Sequence, residues 1–130
     1  MADTYNIGSS TGPINLQADI NTIGLAASRA SILDLSNANP GMAVAHSADA
    51  TGSIPNQTIG NGDSLKGMRL TVFTKITLTG SDAATRATQV GQIDSSYTLD
   101  GGDDGEKTYS DPTITYIDPN VFLTFLVDLT

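Results

Sequence analysis

The clearest structural pattern in the chain lies in the segment Gly67-Met68-Arg69-Leu70-Thr71-Val72-Phe73-Thr74-Lys75-Ile76-Thr77-Leu78-Thr79-Gly80. Apolar residues alternate there with polar ones, and most of the polar positions are threonine. A period of two in a run rich in β-branched residues, with glycine at both ends, predicts a β-strand. Successive side chains of a strand point to opposite faces. This strand therefore has one apolar face, which the rest of the chain must cover.

The composition fits a single β-rich domain. The chain has 130 residues, of which 38% are hydrophobic and only 15% charged. This length is enough for one hydrophobic core. Because the chain contains no cysteine, neither disulfides nor thiolate metal sites contribute to its stability.

The charge of the chain and the lengths of its apolar runs argue against nucleic acid and membrane as partners. Its formal net charge is −8, and its six lysine and arginine residues form no cluster. Phosphate contacts require a basic stripe, so we expect no nucleic acid as partner. We also expect no membrane insertion, since no run approaches the roughly 18 apolar residues of a spanning helix.

The first residues suggest a site of synthesis and a mobile segment. Residues 1–7 contain neither a basic stretch nor an apolar core of the kind found in secretory signals. We therefore expect cytoplasmic synthesis, with release as part of an assembly left open. Residues 1–13 are polar and lack periodicity, so we predict a flexible N-terminal arm, with the β-sandwich domain in residues 14–130.

Other segments also show strand patterns. We predict strands at Ile14–Ile20, Ala30–Leu35, Met42–His46, Ala87–Leu99, Thr108–Ile117 and Val121–Leu129. Pro112 cannot donate to a ladder, which predicts an edge or a bulge there. Residues 47–65 are predicted to be a long loop. About seven or eight strands with turn-rich connections predict an all-β fold: a single-domain antiparallel β-sandwich, Ig-like or jelly-roll-like.

The last predicted strand is apolar on both faces, which indicates either a central strand or an interface. Open strand edges pair readily with other chains. We therefore predict self-association with other copies of the chain. The alternative is a monomer in which one domain covers both faces. The residues predicted to associate are Val121, Phe122, Leu123, Phe125, Leu126 and Val127.

The acidic, glycine-rich stretch from residue 100 to residue 106 is a candidate cation site. Its candidate ligands are Asp100, Asp103, Asp104 and Glu106. Hard cations such as Ca²⁺ bind several oxygen ligands. However, the spacing does not match the EF-hand pattern. The alternative is a hairpin tip in which aspartate and glycine serve turn geometry and the charges remain solvated.

Catalytic signatures are weak in this sequence. His46 is its only histidine, and the sequence has neither a cysteine nucleophile nor a G-x-S-x-G motif. An isolated histidine is usually a surface or half-buried residue. We therefore expect no enzyme activity and no catalytic residue.

The chain resembles, in composition only, subunits of phage or bacterial surface assemblies, since it is small, cysteine-free and rich in threonine, asparagine and glycine. We predict a non-enzymatic structural subunit of a homo-oligomeric or filamentous assembly, joined by strand and arm contacts. The alternative is a Ca²⁺-dependent, lectin-like or adhesin-like binding module that uses the loop 100–106, with a carbohydrate or a basic protein as partner.

Overall fold

The computed structural model describes residues 3–34 and 42–130. The protein is mostly β, with 59% of residues in strands and 10% in helices, which confirms the all-β prediction. The strands are β1 (Asp3–Tyr5), β2 (Pro13–Asn21), β3 (Leu25–Asp34), β4 (Met42–His46), β5 (Ile54–Asn61), β6 (Met68–Thr77), β7 (Asp94–Asp100), β8 (Lys107–Tyr109), β9 (Thr113–Ile117) and β10 (Asn120–Leu129). The helices are α1 (Gly62–Leu65) and α2 (Ala83–Val90). No helix in the described ranges is both long and apolar enough to cross a membrane.

The strands form two sheets. In the six-stranded sheet the order is β1-β10-β6-β3-β4, and β9 also pairs with β10. One edge of β10 is therefore shared, because β9 pairs with its first half and β1 runs parallel to its last residues. The four-stranded sheet has the order β5-β2-β7-β8. Among the named strands, every pairing except that of β1 with β10 is antiparallel.

The predicted pattern of the segment 67–80 is confirmed in β6. Leu70, Val72, Thr74 and Ile76 are fully buried, whereas Phe73 and Lys75 point outward. β10 lies beside β6 in register and contributes its own alternating set of buried residues. The inner face of the six-stranded sheet thus supplies one side of the hydrophobic core.

The two sheets share one core. Tyr97 of the four-stranded sheet stacks on Phe125 of β10, with ring centroids 4.4 Å apart and an interplanar angle of 5°. Tyr109 of β8 lies against the same phenylalanine, with ring centroids 5.3 Å apart. Offset aromatic pairs contribute about 0.5–1.5 kcal/mol beyond the area they bury. Phe125 therefore joins strands from both sheets.

Several predicted boundaries require correction. The segment 47–65, predicted to be a long loop, contains β5 and α1, because β5 pairs with β2 despite its poor strand propensity. The strand predicted at Ala87–Leu99 begins only at Asp94, and helix α2 occupies its first part. Asp82 caps α2 by accepting a hydrogen bond from the Thr85 N–H at 2.7 Å.

The strand predicted at Thr108–Ile117 is two strands in two sheets. β8 pairs with β7 in the four-stranded sheet, and β9 pairs with β10 in the six-stranded sheet. Pro112 lies between them and has no N–H to continue a ladder. With the short strands β1 and β8 included, the described ranges hold ten strands, compared with the predicted seven or eight. The end of the strand predicted at Ala30–Leu35 lies outside the described residues.

The segment predicted to be a flexible arm is folded against the rest of its own chain from residue 3 onward. β1 pairs with the end of β10, and Tyr5 and Ile7 are fully buried. Backbone N–H groups of Asp103 and Asp104 donate to the carbonyls of Ile7 and Asn6, both at 3.1 Å. The prediction was wrong because two apolar side chains anchor a segment that is otherwise polar.

The two tyrosines that contact Phe125 should respond differently to removal of their hydroxyl groups. Within the described part of the chain the Tyr97 hydroxyl is buried and forms no hydrogen bond of ordinary geometry, although the Ser95 and Thr74 side chains lie near it, whereas the Tyr109 hydroxyl donates to the Thr4 carbonyl at 2.7 Å. We expect Tyr97→Phe to be as stable as the wild type or more stable. Tyr109→Phe should lose about 1 kcal/mol, the net value of a typical hydrogen bond. Urea denaturation of both variants measures their free energies of unfolding. Equal losses of stability in the two variants would contradict the expected difference.

Candidate functional site

β10 does not present all of its predicted self-association residues to a partner. Val121, Leu123, Phe125 and Val127 are at most 1% exposed, because they point into the protein's own core. The prediction is therefore corrected for these four residues. They could meet another copy only if the fold opened.

The other two predicted residues point outward. Phe122 and Leu126 are half-buried on the outer face of the six-stranded sheet. Phe122 stacks on Phe73 of β6, with ring centroids 5.8 Å apart and an interplanar angle of 22°. This aromatic pair exposes apolar area on that face, and the Phe73 side chain is 44% exposed.

Basic side chains border the aromatic pair. Cross-strand register places Lys75 opposite Phe122 and Arg29 opposite Phe73. His46 of β4 lies opposite Arg29 and is exposed, on the same outer face. The Arg29 and Lys75 side chains are exposed and form no ion pair with another described residue. The outer face therefore combines exposed aromatic carbon with unpaired positive charge.

Between these side chains the outer face is concave. Ala27, Arg29, Ser31, Thr71 and Phe73 border an open depression of about 600 Å³. Small side chains on β3 leave this space beside the larger Phe73 ring. The depression is open to solvent along the outer face.

β9 is the most exposed strand of the described chain. All five of its residues are exposed, including Ile114 at 52% and Ile117 at 62%. It pairs with β10 along one edge, and within the described residues no strand pairs with its other edge. The Asp118-Pro119 turn joins it to β10, and Asp118 accepts from Arg86 of α2 at 2.6 Å and 3.0 Å. β9 is therefore held in place with its outer edge open.

The candidate cation ligands are used mainly to hold the N-terminal segment. The Asp104 and Asp103 carboxylates accept hydrogen bonds from the N–H groups of Asn6 at 2.8 Å and Ser9 at 3.2 Å. Asp100 accepts from the Gly101 N–H. In the described ranges no three histidine, cysteine, aspartate or glutamate side chains are arranged to hold a metal ion. The predicted set that includes Glu106 is thus not brought together as a site.

The glycines of this loop allow close backbone approach. A Cβ atom on Gly102 would lie 2.8 Å from the Tyr5 ring and 2.9 Å from the Asn6 carbonyl oxygen. The Tyr5 hydroxyl donates to the Gly105 carbonyl at 2.5 Å and accepts from the Gly102 N–H. The glycine-rich sequence therefore serves the docking of residues 3–10.

Negative charge concentrates around this loop. Asp3 lies beside Asp111, and burial together with that neighbouring carboxylate raises the pKa of Asp3. Asp104 lies 3.9 Å from Lys107, and Lys66 reaches the same region by donating to the Gly8 carbonyl at 3.0 Å. We call this region the acidic end, and its carboxylates are those of Asp3, Asp100, Asp103, Asp104, Glu106 and Asp111.

Compared with known proteins, the chain matches no family model, no curated protein and no solved structure.

Sequence reasoning missed Arg29, Phe73 and Lys75 as parts of one surface. Each lies at a different strand position, and only the pairing of β3, β6 and β10 brings them together. The sequence did contain one indication of this surface. On the polar face of segment 67–80, Phe73 is the one apolar residue among threonines and a lysine.

Docking of the N-terminal segment should weaken in alkali. Burial, and secondarily the charges of Asp104 and Asp3, raises the pKa of Tyr109 to about 12, compared with about 10 in an unfolded chain. The neutral phenol is thus favoured in the folded state. Its stabilising contribution is complete below pH 10 and is lost as the pH rises towards 12.

We expect the free energy of unfolding of Tyr109→Phe to fall less steeply than that of the wild type in this pH range. Some decline remains, because burial also raises the pKa of Tyr5. Urea denaturation at a series of alkaline pH values measures both slopes. Parallel slopes for the two proteins would show that Tyr109 is not responsible.

Proposed function

We propose that this protein is a non-enzymatic structural subunit of a homo-oligomeric assembly, of the phage-like or bacterial surface type, whose copies join through the open edge of β9. The observation that carries the proposal is β9 itself. It is held against β10, yet it exposes all five residues and one complete edge. Unpaired N–H and C=O groups on such an edge are templates for pairing with a further strand.

The framework that we propose for the subunit is a two-layer β-sandwich. Residues of both sheets belong to one hydrophobic core, and the Tyr97–Phe125 stack spans it. The Ig-like and jelly-roll-like arrangements both place two sheets face to face over such a core. A rigid sandwich of this kind presents an edge strand in a fixed orientation.

Side-chain chemistry on β9 favours a protein partner. Ile114, Tyr116 and Ile117 place apolar area on both sides of the strand. Natural edge strands are commonly protected by lysine, proline or bulges. β9 contains no lysine, and Pro112 precedes it without interrupting it. Pairing of β9 with β9 of a second copy would continue the six-stranded sheet and cover these residues.

The predicted arm contacts have no part in this proposal. The N-terminal segment is bound to its own chain through Tyr5, Ile7 and the loop 101–105, so it is not available for exchange. The contact between copies that we propose here is therefore made by β9 and not by the N-terminal segment.

The proposal is tested by the mass of the protein in solution. Sedimentation velocity over a range of concentrations should give species heavier than the 13.4 kDa chain, with a mass that rises with concentration. A double variant, Ile114→Lys/Ile117→Lys, should shift this association to at least about tenfold higher concentration, because edge lysines oppose strand pairing.

The matched control is Ala84→Lys/Ala87→Lys, which adds the same charge to exposed positions of α2. It should associate like the wild type. Melting temperatures establish that all three proteins are folded. A wild type that remains a monomer at every attainable concentration overturns the proposal, as does equal loss of association in the control.

A further inference from the structure

We propose that a second, heterologous contact extends the assembly: the acidic end of one copy docks into the depression on the outer face of the six-stranded sheet of the next. This inference rests on the proposed function, because it assumes that copies of the chain associate. It adds to β9 pairing a contact of different symmetry and chemistry.

The receiving surface is suited to an anionic partner. Arg29 and Lys75 project beside the Phe73–Phe122 pair without ion-pair partners in the described ranges. β10 has one carboxylate, that of Asp128, and it is already bridged to Arg69 at 2.7 Å. Arginine and aromatic side chains are enriched at protein interfaces. Positive charge is thus concentrated on a surface that also offers apolar contact.

Charge complementarity identifies the occupant as another copy. The chain carries a net charge of −8, and the acidic end holds six carboxylates, with Lys107 and Lys66 as the neighbouring basic side chains. Five of these six residues are exposed. Complementary potentials of this kind steer association and fix the register of two surfaces. Every copy therefore carries both the anionic surface and its cationic counterpart.

The two surfaces belong to different parts of the fold. The acidic end includes the glycine-containing loop between β7 and β8 together with Asp3 and Asp111, and the outer face of the six-stranded sheet offers an open depression of about 600 Å³. The aliphatic stem of Arg29 and the Phe73 ring border that depression. The loop joins strands of the four-stranded sheet and the depression lies on the outer face of the other sheet, so the contact that we propose is head-to-tail.

The symmetry of the two contacts predicts an extended assembly. Pairing of β9 with β9 uses the same surface on both copies and closes after two. A contact between two different surfaces continues into a ring or an open filament. Together they would produce chains or networks of dimers. Salt should weaken the second contact, because it screens exposed charges.

A charge-swap experiment tests the inference. The variant Arg29→Glu/Lys75→Glu makes the receiving face negative, and Glu106→Lys/Asp111→Lys makes the acidic end more positive. Each variant alone should form dimers but lose species larger than dimers. An equimolar mixture should regain them, because the unaltered acidic end of the first variant can bind the unaltered face of the second. Sedimentation velocity at low salt, with repeats at high salt, measures the wild type, both variants and their mixture.

Two features make the result specific. The Glu106→Lys/Asp111→Lys variant has a smaller net charge than the wild type, so a general reduction of repulsion would increase its association instead of reducing it. The control Asp19→Lys/Asp94→Lys makes the same charge change at exposed positions of β2 and β7, towards the end of the β2–β7 pair opposite to Asp100. It should retain the larger species.

The outcomes separate the two proposals. A monomeric wild type overturns both. Dimers without larger species in the wild type, or larger species in either variant alone, overturn only the heterologous contact. Folded variants that do not complement each other in the mixture overturn that contact as well. A wild type that stays dimeric and binds a single-stranded oligonucleotide through Arg29 and Lys75 would assign the outer face to another class of partner.

Discussion

The stack of Phe125 on Tyr97 is the contact on which the arrangement of the two sheets depends. The rings are nearly parallel and 4.4 Å apart, and one belongs to each sheet. Phe125 can take this position only because β10 turns one set of alternate side chains inward. β6 pairs with one edge of β10, and β9 and β1 pair with the other edge. The position of β10 therefore fixes which residues of these three strands face the core.

This constraint also divides β10 into two functional faces. The inward set is consumed by the core, so it stabilises the monomer and cannot contribute to recognition. The outward set contains Phe122 and Leu126, which no strand of the described chain covers completely. A strand with apolar residues on both faces therefore does not need a partner in order to fold. The outward residues stay partly exposed because the inward ones already fill the core.

Local sequence pattern predicted the central strands well, because burial there follows a strict alternation. Leu70, Val72 and Ile76 are inward in β6, as their parity required. In β10 both parities are apolar, so alternation alone did not identify the inward face. Thr124 and Asp128 could have identified it, because polar residues favour the solvent-facing side of a strand and both lie on the same face of β10. That signal would have removed four residues from the predicted interface.

Other features depend on contacts that are distant in sequence, and local pattern could not reveal them. Tyr5 is buried because its hydroxyl and ring meet Gly102 and Gly105, about a hundred residues away. β5 is a strand because β2 pairs with it, although it contains proline and asparagine. Tertiary context commonly overrides strand propensity in this way. The helix α2 was locally readable through its Asp82 cap, but Thr88 and Val90 favoured the strand interpretation.

The distribution of charge follows from the same architecture. Docking of residues 3–10 against the loop after β7 places Asp3 near Asp111 and Asp104 near the Asn6 backbone, so folding itself gathers carboxylates at one end. Pairing of β3 with β6 brings Arg29 and Phe73 together on the outer face. Like charges gathered in this way oppose compactness. An opposite charge from outside the molecule would relieve that repulsion, and the outer face of a second copy carries such a charge.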